Sequence, residues 1–245
     1  MSLSRIRAIT LRIIRQFLRD RRTLVMMFLV PIVVMTVIAL SFPEEVGQGV
    51  LSYIAPAVLA VMALFFGFIL TGVSFLRERS QGTLERLLAS PVSRWDLALG
   101  YLLGFLLFAI VQSVIVLLFI IYALDIQYQV ELWQIFVMQV IITVGAVNLG
   151  IFVSAYASNE FQVVQFIPLF ILPQVFLSGV LWPVEQMAGY LQWLSNFMPL
   201  TYAIRGLRDI MLAGQSLTDI WRELGVLLAF AAVASVGAAA TLRRR

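Results

Sequence analysis

The chain has no cysteine, no histidine and no lysine. The first absence excludes disulfides and thiolate metal sites. The second removes the commonest metal ligand and general base. The third excludes a P-loop, whose lysine must reach the nucleotide phosphates; if ATP drives this protein, the ATPase is another polypeptide. Charge is scarce as well. Only 12% of the 245 residues are charged, against about 25% in soluble domains. What fills the chain is apolar: 62% of it is hydrophobic, and all 17 basic residues are arginine. That balance points to an all-α protein of the bilayer.

Six stretches lack any charge and are long enough to cross: Leu24–Phe42, Ile54–Leu76, Leu97–Leu124, Leu132–Ala157, Phe161–Leu181 and Leu224–Leu242. A span needs about 20 apolar residues at 1.5 Å rise each. Orientation follows from arginine. With the N-terminus inside, the inner segments hold 14 of the 17 arginines and five of the 13 acids, a balance of +9, while the outer segments carry −5. Both termini are therefore expected on the cytoplasmic side of a cell membrane.

The arginine-rich, acid-poor start would also suit a transit peptide, but a span follows it directly. At 100° per residue, Arg5, Arg12, Arg15, Arg19 and Arg22 share one helical face, and Leu3, Ile6, Ile13, Ile14 and Phe17 share the opposite one. Residues 1–22 are read as an interfacial helix on the inner leaflet, either a lipid anchor alone or also a contact for a cytoplasmic partner.

Between spans two and three runs RERSQGTLERLLASPVSR, Arg77 to Arg94. Leu84, Leu87 and Leu88 fall at i, i+3 and i+4, so Gly82–Ser90 reads as a short amphipathic helix. Gly82 loosens its entry, and Pro91 stops it because the residue before a proline avoids the helical region. Ser93-Arg94-Trp95-Asp96 is a capping box that opens span three. The loop either fixes topology as a solvated basic segment, or offers leucines and charges to something below the membrane.

The same residues resemble the cytoplasmic loop of the type-2 ABC transporter permeases, which carry R-E, then G-T-L-E-x-L-L-x-S-P-V-S-R, then an acid and a span. A second match, LSGVLWPVEQMAGYLQWLSNFMPLTYAIRGLRDIMLAG from Leu177 to Gly214, is similar to that family's Pro-acid pair, W-L segment, N-x-x-P-L-T-Y-A and L-R. The resemblance implies a permease pairing as a homodimer on two copies of a cytoplasmic ATP-binding subunit. ATP and Mg would sit on that partner and no cofactor on this chain. It implies a single transmembrane domain, 1–245, in which residues 77–96 form a coupling loop. Glu78, Gly82, Thr83, Leu84, Glu85, Arg86, Leu87 and Leu88 would transmit ATPase motion, with Glu85 and Arg86 the charges that meet the partner. Two positions depart from the family pattern: Tyr101 stands where lysine is frequent, and Arg205 where an acid is. Arg205 is expected to pair instead with Asp209 at i, i+4.

Residues 182–220 are too apolar for a free loop. Met187, Leu191, Leu194 and Met198 step along one face between Pro183 and Pro199, and Trp182, Tyr190, Trp193 and Tyr202 suit an interfacial aromatic belt. Two short helices dipping into the outer leaflet are expected, then a helix to about Gly214. Ser216-Leu217-Thr218-Asp219 is expected to cap the last helix. The resemblance makes this region a re-entrant hairpin closing the outer end of a path, with Pro183, Trp193 and Pro199 as an outer gate.

No ionisable residue sits inside a predicted span, which argues against a proton- or ion-coupled carrier. Polar groups within spans, among them Gln112, Gln139 and Asn148, serve either interhelical hydrogen bonding or a path. Span five is the candidate for a path: it carries Gln162, Gln165, Phe166, Phe170 and Gln174 and is interrupted by Pro168 and Pro173. Such a lining suits a hydrophobic or amphiphilic cargo. A GxxxG, Gly100 to Gly104, opens span three without an assigned role. The sequence thus reads as a non-enzymatic permease subunit of an ATP-driven exporter of drug-, antibiotic- or lipid-like molecules, with polysaccharide or glycolipid export in the same family as the alternative. A stand-alone channel or structural membrane protein would leave both motif matches unexplained. The partners are protein and bilayer, with no metal and no nucleic acid.

Overall fold

A computed structural model describes residues 2–42, 44–83, 92–124 and 131–241. Among them every regular element is helical: α1 Leu3–Arg19, α2 Arg21–Ser41, α3 Glu44–Ser80, α4 Arg94–Tyr122, α5 Leu132–Ser154, α6 Glu160–Leu177, a 3-10 turn Val184–Gln186, α7 Gly189–Ser195, α8 Pro199–Met211 and α9 Trp221–Thr241. Six of them, α2 to α6 and α9, contain stretches long and apolar enough to cross a membrane, and each covers most of one predicted span. Pro31, Pro56, Pro168 and Pro173 lie inside these helices. Membrane helices tolerate such prolines where neighbours satisfy the freed backbone groups.

Small residues set the centre. α3 and α5 pack so closely that a Cβ at Gly67 would lie 2.7 Å from Ala146 Cβ, and one at Gly150 would lie 2.6 Å from the Phe68 carbonyl. Without a hydrophobic drive between helices in lipid, this close van der Waals approach is what holds them. α9 joins the same core by laying Phe230 over Gly145. Thr71 and Asn148 return their polar groups to the Gly67 and Val144 carbonyls four residues back. By contrast, the apolar windows of α2, α6 and α9 are only 17% to 22% buried. Their outward faces are left for lipid or another chain.

α1 runs beside α4 in the same direction. The Ser2 amide donates to the Asp96 carboxylate at 3.0 Å, Ile9 sits on Gly100 and Ile13 on Gly104, and Phe17 stacks on Phe105 and Phe108. The GxxxG thus has a role: it is the trough that receives α1. The trough also rotates the apolar face from the expected one. Ile6, Ile9, Ile13 and Phe17 are buried while Leu3 stays exposed.

The capping box at Ser93 and Asp96 forms in both directions. At Ser216 only half of the expected box forms: the Ser216 amide donates to the Asp219 carboxylate at 2.9 Å. The Ser216 hydroxyl donates to the Asp219 carboxylate at 2.7 Å instead of accepting its amide, and residues 217–220 make a turn before α9 begins at Trp221. The Asp219 amide is taken instead by the Ser216 backbone carbonyl at 3.0 Å, which closes the turn.

Candidate functional site

The predicted coupling and gate residues that the structure describes fall at the two ends of the helix bundle, and the predicted path residues lie along α6. One end gathers α1, the end of α3 and the start of α4. Glu78, 4% exposed, closes α3 there. Arg12 on α1 donates through Nη2 to both of its carboxylate oxygens, at 2.6 and 2.7 Å. The Thr83 hydroxyl reaches back to the Glu78 carboxylate at 2.5 Å and to its carbonyl at 2.8 Å. Gly82 carries the chain between them with a φ of 66°, a left-handed turn that a side chain would strain. Tyr101, the departure from the family pattern, is fully buried beside this knot against Phe75. One carboxylate therefore fastens three pieces: the N-terminal helix, the end of span two and the entry to the loop. Leu84, Glu85, Arg86, Leu87 and Leu88 lie outside the described residues.

Two further arginines brace this end. Arg77 makes a two-pronged contact with Glu160 at the start of α6, at 2.7 and 2.9 Å. Arg79 donates to the Ala155 carbonyl that ends α5. At the α1–α2 corner, hydrogen bonds from the Thr23 hydroxyl and then its amide hold the Asp20 carboxyl below the usual carboxylate range, against a smaller opposing effect of burial.

The path residues divide. Gln174 is buried and committed: its amide donates to the Phe170 carbonyl, and its oxygen accepts from Leu200 N in the first turn of α8. Gln162 likewise caps its own helix by accepting from the Ser158 amide. Phe166 and Phe170 meet edge to face, with Phe170 against Phe68. Gln165 alone of the glutamines stands on the open face of α6.

At the opposite, hairpin end the chain turns at Gly179, φ 78°, and passes through the 3-10 turn, α7 and α8. The continuous face expected between Pro183 and Pro199 is broken at Met187 and Ala188, where the backbone is extended. Pro183 precedes the 3-10 turn, Trp193 is exposed and stacks on Phe197, and Pro199 occupies the first turn of α8. Thr201 ties the hairpin inward, donating to Ser195 O and Ser178 Oγ. The expected Arg205–Asp209 pair is absent; the carboxylate near Arg205 is Glu185, at 3.9 Å. Both Arg205 and Asp209 line a cavity that α8 shares with Tyr53 and the 3-10 turn, and there Glu185 reaches the guanidinium instead.

The residue that sequence reasoning passed over is Arg208. Its guanidinium lies 3.6 Å from the centre of the Tyr53 ring and donates to the Tyr53 and Gly179 carbonyls at 3.1 and 2.8 Å. It joins α8 to the start of span two and the end of span five. The signal was an arginine on an amphipathic helix, and nothing local pointed to its partners at Tyr53 and Gly179.

The architecture defines a six-span helical membrane protein with an amphipathic N-terminal helix and a helical hairpin between its last two spans. Residues 4–212 match the model of the ABC-2 type transporter family, and the chain belongs to it. It is 32% identical over 193 residues to a probable multidrug ABC transporter permease of Escherichia coli (strain K12), covering 79% of this chain and 52% of that protein. It is 29% identical over 187 residues to the linearmycin resistance permease protein LnrN of Bacillus subtilis (strain 168), covering 76% and 48%. Nodulation protein J of Rhizobium meliloti (strain 1021) matches at 28% over 202 residues, 81% of this chain and 76% of that protein. The chain spans about half the length of the first two.

Proposed function

We propose that the chain is the membrane-spanning permease subunit of an ATP-driven exporter that moves hydrophobic or amphiphilic molecules, with ATP and Mg bound by a separate cytoplasmic subunit present in two copies and two permease chains pairing as a homodimer. The observation that carries the reading is the knot at Glu78. A loop that only fixed topology would have no use for a buried carboxylate binding the N-terminal helix to the loop entry, whereas a loop that transmits force needs a stiff root. Arg12 and Thr83 supply it, and Gly82 sets the angle at which the chain leaves.

In this reading Glu78, Gly82 and Thr83 position the coupling segment, and Leu84, Glu85, Arg86, Leu87 and Leu88 meet the ATPase. The arginine-rich end faces the cytoplasm of a multi-pass cell-membrane protein, because basic residues are retained there. The open faces of α2 and α6, with Gln165 among apolar neighbours, supply the wall of a path once a second copy is present. Names of relatives that speak of multidrug and linearmycin resistance support an apolar or amphiphilic cargo. The test is co-purification with the candidate ATPase subunit and ATP hydrolysis in lipid, for wild type and for Glu85→Ala with Leu88→Ala. Binding by wild type and lost coupling in the variant are expected. A wild-type chain that binds no ATPase overturns the reading.

A further inference from the structure

Among the described residues, four buried side-chain atoms have no hydrogen-bond partner. Three of them belong to Gln112 and Gln139, inside α4 and α5. The fourth is the hydroxyl of Tyr101, and its surroundings single it out, because the charged groups beside it are Glu78 and Arg12. The ring is fixed by Phe75 of α3 at 5.3 Å and by Phe105 of its own helix at 6.1 Å. Buried hydroxyls normally find a partner, and here a carboxylate is at hand. An ionised carboxylate offers about four acceptor positions. On Glu78, Arg12 makes two contacts and Thr83 one, which leaves room for a further donor. The Tyr101 hydroxyl is therefore idle by position and not for want of an acceptor.

Arg12 and Tyr101 ride on one body. α1 is bound along α4 from the Ser2–Asp96 hydrogen bond, through Ile9 on Gly100 and Ile13 on Gly104, to Phe17 on Phe105. Glu78 belongs to a different element, the end of α3. Two donors on one packed pair of helices thus address one carboxylate on a neighbour. They differ in freedom. The Arg12 side chain is 38% exposed and is able to turn into water, whereas the Glu78 side chain, 5% exposed, and the buried Tyr101 are held in place. When Arg12 leaves, the carboxylate is stranded unless another donor replaces it, and a stranded buried charge is costly.

We infer that Tyr101 is a positioning residue, the reserve donor of Glu78: when Arg12 lets go, the Tyr101 hydroxyl turns to the carboxylate, and the α1–α4 pair keeps its hold on the end of α3 in two positions instead of one. The root of the loop stays tied in both. The inference concerns contacts within this chain alone, so it and the exporter reading fail or stand separately.

Tyr101→Phe tests it, because the ring and its aromatic contacts stay and only the hydroxyl goes. The full chain in an uncharged maltoside detergent is unfolded across an SDS titration, with and without Y101F, in three backgrounds: wild type, Arg12→Gln and Arg12→Ala. Trypsin cleavage within α1 is timed alongside. In wild type, Y101F is expected to change the unfolding equilibrium constant by less than about twofold, since the hydroxyl makes no bond there; in R12A it should raise that constant about tenfold or more, since a buried hydrogen bond to a charged group is lost. Cleavage of α1 should accelerate with Y101F in R12A and stay unchanged with it in wild type. R12Q keeps one neutral donor and should fall between; it carries the test where R12A does not fold. The inference is overturned by an equal cost of Y101F in all backgrounds, which marks a hydroxyl with a fixed partner such as a buried water. It is overturned as well by no cost in any background, which marks a hydroxyl that never engages, or by a cost greatest in wild type.

Discussion

Removing Arg12 should cost more than its surface position suggests. Its guanidinium is 38% exposed, but the carboxylate it neutralises is 5% exposed by side chain. Breaking a fully buried pair costs about 3–5 kcal/mol, and an exposed one about 0–1. With one partner in each setting, Arg12→Ala should destabilise by about 1–3 kcal/mol, mainly by stranding Glu78. Glu78→Gln keeps the shape and an acceptor for Thr83, so about 1–2 kcal/mol is expected. The double variant should then fall short of the sum by about 1 kcal/mol or more, because the second change removes the charge that the first stranded. Helix content followed by circular dichroism across an SDS titration gives the three values. Limited trypsin digestion adds a local readout: the chain has no lysine, so cleavage is confined to arginine, and α1 should be cut faster in R12A. Strict additivity, within about 0.5 kcal/mol, would mean that Arg12 and Glu78 do not act as a pair and that the knot is not what fixes α1.

The remaining expectations use the same unfolding assay unless stated. A Cβ at Gly100 would meet Ile9 at 2.6 Å and one at Gly104 would meet Ile13 at 2.8 Å, so the double alanine variant should lose about 1–3 kcal/mol and regain part of it with Ile9→Ala. Gln174→Leu orphans the buried Leu200 amide and should cost about 1–3 kcal/mol, whereas Gln165→Ala should leave stability unchanged and alter transport. Asp20→Ala removes the cap of α2, at about 0.5–2 kcal/mol. Because the folded Asp20 carboxyl lies below its unfolded value, that contribution is present above the unfolded pKa and fades as pH falls through the folded one; the difference between wild type and D20A should therefore shrink on acidification below about pH 4. A gap that widens in acid contradicts the cap.

Spans, capping and the N-terminal helix were legible because their causes are local. A charge-free run of 19 residues or more can be little else than a membrane helix, and the Ser93–Asp96 box joins residues three apart. The family was legible for a related reason: its motifs are contiguous, and the loop and hairpin matches each sit within one stretch of chain. Legibility failed wherever the partner lies far along the sequence. Arg205 looked satisfied by Asp209 four residues on, yet it faces Glu185 across the hairpin. Polarity in a span, as at Gln174, has two uses, and only the packed bundle brings the Leu200 amide to its side-chain oxygen. Gly100 and Gly104 showed a small-residue face but not which helix would fill it. Arg208, which holds three elements together, had no neighbour in sequence to betray it. Composition and periodicity thus determined the solvent, the number of crossings and the polarity of the two ends, since each residue contributes to those on its own. Which buried charge meets which carboxylate or carbonyl depends on groups as many as 155 residues apart coming within 3.1 Å, and only the packed bundle decides that.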